Sequence, residues 1–129
     1  MSVAIELIDS NFAISRNNIE PAFRAISNYL DKNKMKWIDK FDIDDYFEDD
    51  ILMNDAIEDL SYEIRFPMEY DMIKKEWIIC EFSGEKAGDE DVLFNILAPF
   101  SKEGSYILFK DEYHDCYGYK VKNKKIFCI

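Results

Sequence analysis

Apolar and polar residues alternate over residues 3–8, the period of a strand with one buried face. Residues 11–14 read either as a second short strand or as a continuation of the first. Ile19, Ala22, Phe23, Ile26 and Leu30 then recur at helical spacing, which predicts an amphipathic helix over 19–31. Asn17 and Asn18 offer N-caps for it, and Pro21 suits its first turn. Residues 35–38 are short and apolar and read as an edge strand. Ile57, Leu60 and Ile64 give a second helix its inner face, starting near Asn54 or Asp55, with Glu58 spaced for a capping box.

Residues 64–70 contain Pro67, which removes a ladder donor and predicts an edge or bulged strand. Residues 77–82 form the next strand and 71–76 the turn between the two. Gly84 and Gly88 bound a turn, and Asp89 caps a third helix with a stripe of Val92, Leu93, Ile96 and Leu97. Pro99 ends that helix. Strands follow over 105–110, 114–121 and 125–129, the last two forming a hairpin that turns at Asn123. Short connections between consecutive strands favour antiparallel pairing. The expected fold is α+β: one domain over residues 1–129, with a single antiparallel sheet and about three helices packed mainly on one face.

Composition narrows the function. Among 129 residues, 27 acids against 16 bases leave a net charge of −11, which disfavours contact with nucleic acid or an anionic membrane. Hydrophobic residues make up 48%, including 10 Phe and 8 Tyr, enough to bury a core. The first residues lack a basic region and Glu6 interrupts the apolar run, so no signal peptide is expected. No apolar stretch approaches the roughly 20 residues of a membrane span. Cys80, Cys116 and Cys128 are odd in number and far apart, and read as reduced, small core residues of a cytoplasmic protein.

The charge is concentrated. Residues 39–59 hold ten acids against Lys40 alone, interleaved with Phe41, Ile43, Tyr46, Phe47, Ile51 and Leu52. Such interleaving suggests structure rather than a disordered acidic tail. Asp42, Asp44, Asp45, Glu48, Asp49 and Asp50, together with Tyr46 and Phe47, are the expected contact surface for a basic protein partner.

Catalytic and metal motifs do not emerge. An EF-hand starting at Asp42 fails, because its Gly and Glu positions hold Phe47 and Met53. Gly84 and Gly88 lead into Asp89, Glu90 and Asp91, which occupy the place a phosphate would take. His114 and Cys116, two residues apart, are placed to share a strand face, but Asp115 would point away as an orienting group. No G-x-S-x-G motif is present, and no Asp or Glu stands two residues before a lysine. Tyr113, Tyr117 and Tyr119 alternate and suit either packing or partner contact. Lys120, Lys122, Lys124 and Lys125 read as a solvated strip that discourages edge pairing.

Residues 82–109 run Phe82-Ser83-Gly84-Glu85-Lys86-Ala87-Gly88-Asp89-Glu90, then Leu93-Phe94, Ile96-Leu97-Ala98-Pro99 and Gly104-Ser105-Tyr106-Ile107. This stretch resembles a family of small acidic proteins of bacteria and their phages, with an F-x-G-E-K-x-G-D-E…I-A-P…G-S-Y-I signature and an aromatic hairpin. Here the hairpin reads Tyr117-Gly118-Tyr119-Lys120-Val121. The resemblance implies a strand–helix–strand–hairpin unit and carries no activity or catalytic residues.

The expected function is therefore non-enzymatic and cofactor-free: an immunity protein that neutralises a basic, nuclease-type toxin. The alternative is a phage or mobile-element protein that imitates nucleic acid to block a defence or DNA-handling protein. A carboxylate-dependent hydrolase stands behind both.

Overall fold

The computed structural model describes residues 3–35, 38, 53–84 and 88–129. Among them are seven strands and three α-helices. β1 (Ile5–Ser10) and β2 (Ala13–Ser15) lead into α1 (Arg16–Lys32); α2 (Met53–Glu63) precedes the hairpin of β3 (Met68–Asp71) and β4 (Glu76–Ile79). α3 (Glu90–Leu97) and a 3-10 turn (Ala98–Phe100) precede β5 (Tyr106–Asp111), β6 (Cys116–Lys122) and β7 (Lys125–Cys128). All pairings between strands are antiparallel.

The class is α+β as expected, but the strands form two sheets rather than one, ordered β1-β5-β6-β7 and β2-β4-β3. The division falls at Asn11 and Phe12. Asn11 donates its N–H to the Tyr106 carbonyl at 3.1 Å, and its side-chain oxygen accepts from the Tyr106 N–H at 2.7 Å, closing the β1–β5 ladder. Phe12 then turns its ring into the core, while its carbonyl accepts from the Ile79 N–H at 2.9 Å and starts the pairing with β4. A fully buried aromatic at the bend rewards the change of sheet. Ser105 joins the two sheets, its hydroxyl accepting from the buried Ala13 N–H at 3.2 Å.

α1 buries the five predicted residues, Ile19, Ala22, Phe23, Ile26 and Leu30, but begins earlier than predicted. Its N-cap is Ser15 rather than Asn17 or Asn18, and Pro21 lies inside the helix beyond its first turn. The tertiary bond from the Arg16 N–H to the Lys75 carbonyl, at 2.9 Å, holds this start against the hairpin. α2 starts at Met53, so Asp55 lies in its first turn rather than at the N-cap position expected for it. Of the edge strand expected over 35–38, Met35 and Ile38 are buried outside any strand, and residues 36 and 37 lie outside the described residues.

β3 is an edge strand that begins just after Pro67, as a missing donor demands. The Pro67 carbonyl still accepts, from the Cys80 N–H at 3.0 Å. The β6–β7 turn uses Asn123 and Lys124, both with positive φ (55° and 62°), the geometry that matches strand twist in a two-residue hairpin.

The core is shared by both sheets. Phe94 of α3 sits 5.1 Å from Phe12, 5.0 Å from Phe66 and 5.7 Å from Tyr119, ring centre to ring centre. No described helix is long and apolar enough to cross a membrane.

Candidate functional site

The predicted contact residues Asp42, Asp44, Asp45, Tyr46, Phe47, Glu48, Asp49 and Asp50 lie outside the described residues. What is described of the acidic run is its end, on α2. The apolar spacing that buries Ala56, Ile57 and Leu60 turns Asp55, Glu58, Asp59 and Glu63 to solvent. Tyr62 stands among these carboxylates and is 57% exposed. Sequence reasoning passed over Tyr62, although its position opposite the Ile57–Leu60 stripe was a sufficient signal.

This face is held firmly. Buried Ser61 donates its hydroxyl to the Glu58 carbonyl at 2.7 Å and accepts from the Met68 N–H at 3.1 Å, fastening α2 to β3. Arg65 takes a left-handed conformation (φ 71°), and the Phe66 N–H donates to the Ser61 carbonyl at 3.1 Å as the helix ends.

An open cleft of about 640 Å³ adjoins this face, lined by Arg16, Glu58, Glu69, Tyr70, Met72 and Lys75. Two carboxylates and two cations thus share one concavity beside an aromatic ring. The β3–β4 turn that forms its rim is rigid, because Asp71 Oδ1 accepts from the N–H groups of Ile73 and Lys74 at 2.9 and 3.0 Å. The bond from the Lys74 N–H is the main cause holding the Asp71 carboxyl below the usual carboxylate range. The turn exposes Met72 and Ile73, at 81% and 93%.

The other singled-out residues fall elsewhere. Tyr117 and Tyr119 share the inner sheet face, Tyr117 stacked on Phe109 and Tyr119 on Phe94, whereas Tyr113 is exposed in the β5–β6 turn. Of the three carboxylates at the start of α3, Glu90 is turned inward. Its Oε1 accepts from the Tyr117 hydroxyl and its Oε2 from the Gly88 N–H, both at 2.8 Å. Burial, with the Glu90 carboxylate beside it, pushes the Tyr117 hydroxyl above its ordinary pKa; burial does the same to Tyr119. Asp89 occupies the N-cap position but makes no side-chain cap bond, so Glu90 serves the preceding loop instead.

His114 lies in a turn with left-handed backbone (φ 67°) rather than on a strand, so it does not share a strand face with Cys116. The three cysteines are free and exposed, not core residues as their type suggests. Although the residue is exposed overall, partial burial of its sulfur pushes the Cys80 thiol up to about 11, and Glu69 adds to the effect, the opposite of an activated thiolate. Among the described residues, no three His, Cys, Asp or Glu side chains are grouped to hold a metal ion.

In comparisons with protein-family models, curated proteins and solved structures, nothing matches the chain.

Proposed function

We propose that this chain is an acidic protein-binding inhibitor of the immunity type, which neutralises a basic, nuclease-like partner by direct contact. The observation that carries this reading is the outer face of α2, with four exposed carboxylates around a half-exposed tyrosine and a bonded anchor to β3 beneath. Nuclease sites are electropositive because they bind phosphates, so a fixed acidic face steers encounter and rejects wrong partners. Tyr62 supplies the amphipathic anchor that such interfaces favour. The run from Asp42 to Asp50 extends the acidic surface in sequence.

A second reading is favoured by one feature of α2. Asp55, Asp59 and Glu63 recur every four residues, a column of carboxylates with a rise of about 6 Å per step. A regular row of anions suits imitation of a phosphate backbone, and the blocked partner would then be a defence or DNA-handling protein. The hydrolase reading is weaker. Glu58 and Glu69 share the open cleft with Arg16 and Lys75, which suits ion pairing with a partner more than a water-excluded acid–base pair.

The test is capture from a native lysate and from a panel of basic nuclease domains, followed by association kinetics. Reversing Asp59 and Glu63, and separately Asp44 and Asp45, to lysine is expected to slow association about ten-fold and flatten its salt dependence. Unchanged kinetics in both variants overturn the assignment of this surface. A captured DNA-handling protein in place of a toxin selects the mimic.

A further inference from the structure

We propose that the outer face of the four-stranded sheet binds single-stranded nucleic acid. The strand register places Tyr106, Lys120 and Phe127 in one row across β5, β6 and β7. All three point away from the core, because their neighbours Ile107, Tyr119 and Val121 are buried and Ile126 packs against that core. The next row sets Leu108 against Gly118, and an added Cβ at Gly118 would collide with the Ile107 carbonyl and the Leu108 side chain. The Leu108 side chain therefore covers the bare Gly118 backbone and makes an apolar floor beside the aromatic row.

The Tyr106 ring is pre-positioned, its hydroxyl donating to Asp9 Oδ2 at 2.8 Å, and Phe127 is 51% exposed. Lys110, Lys122 and Lys125 join Lys120 on this face, with Glu6 and Asp9 as its acids and Asp9 engaged by Tyr106. At the ends of the sheet, Glu103 and Glu112 accept backbone N–H groups from Asn123 and Ala4.

The overall charge of −11 speaks against a polyanion, but on this face four lysines stand against Glu6 and Asp9, with Glu103 and Glu112 only at the ends of the sheet. At physiological salt, charges more than about 8 Å apart are largely screened, so the acids of α2 do not govern it. Aromatic rings separated by a lysine on an open sheet match a splayed single strand, whose bases stack while its phosphates meet the cations. A duplex hides those base faces. The inference is independent of the inhibitor reading, which concerns α2.

Fluorescence anisotropy of a labelled oligothymidine of roughly 12 nucleotides, titrated with the intact protein, tests it. Binding is expected at about 150 mM salt, where that screening holds, with a log–log salt slope of about −3 for the four lysines. A duplex hairpin of the same length should bind at least about ten-fold more weakly. Phe127→Ala should weaken binding about ten-fold, and Phe127→Trp should retain it. Lys120→Glu with Lys122→Glu should abolish binding, and circular dichroism should report intact folds, since all three side chains are exposed. No binding at about 150 mM salt, equal binding of duplex and single strand, or indifference to these variants each overturns the proposal. So does a dimer seen in sedimentation without oligonucleotide binding and lost in Phe127→Ala, which would assign the face to a second copy.

Discussion

α2 and the outer face of the four-stranded sheet are both exposed, and they differ in sign. α2 holds no basic residue and turns Asp55, Glu58, Asp59 and Glu63 outward around Tyr62. The sheet face turns Lys110, Lys120, Lys122 and Lys125 outward, around Tyr106, Leu108 and Phe127. A net charge of −11 averages over this difference and conceals it. Partners meet a local field, screened within about 8 Å, rather than the sum over the chain.

The largest expected effect removes both surfaces together. Phe94 is fully buried and packs against Phe109 and Tyr119 of the four-stranded sheet and against Phe12 and Phe66, which lead into the strands of the other. Phe94→Ala should cost about 3–5 kcal/mol, read by urea unfolding. A loss below about 1 kcal/mol would mean that the two sheets do not share one cooperative core.

Ser61→Ala should affect one surface alone. It strips the Met68 N–H of its partner and loosens α2 from β3, at a cost of about 1–3 kcal/mol. Binding to the basic partner should weaken while the sheet face behaves as before. Equal loss at both faces would make α2 part of the sheet's own support.

The smallest effect acts beneath the sheet face and only in alkali. Tyr117 and Tyr119 have their pKa values raised by burial, so in alkali the unfolded chain releases these protons before the folded one. Stability is therefore full below the unfolded value of about 10 and falls as pH rises beyond it. Tyr117→Phe should flatten that alkaline decline in thermal melts followed by near-ultraviolet absorbance. An unchanged slope would place the responsible groups elsewhere.

Most elements are legible in the sequence because their patterns are local. The five buried positions of α1, the inner face of α2, the edge strand after Pro67 and the hairpin at Asn123 follow from spacing and turn chemistry. The stripe read for α3 missed Phe94, which is fully buried, and included Val92 and Ile96, which are only partly so. The cysteines are the clearest misreading, since residue type alone favours burial while their places at or just past strand ends leave all three exposed. Two-residue alternation shows which strand residues share a face, but not which face meets the core.

Sequence alone determined the fold class, the antiparallel pairing and an acidic segment rich in aromatics, because periodicity, short connections and charge runs are local properties. Tertiary structure decided that Phe12 divides the strands into two sheets, that Glu90 turns inward to Tyr117, and that the lysines of β6 and β7 share a face with Tyr106. Each of these depends on contacts between residues far apart in the chain, and no local pattern encodes which of two possible faces or partners a packed core will choose.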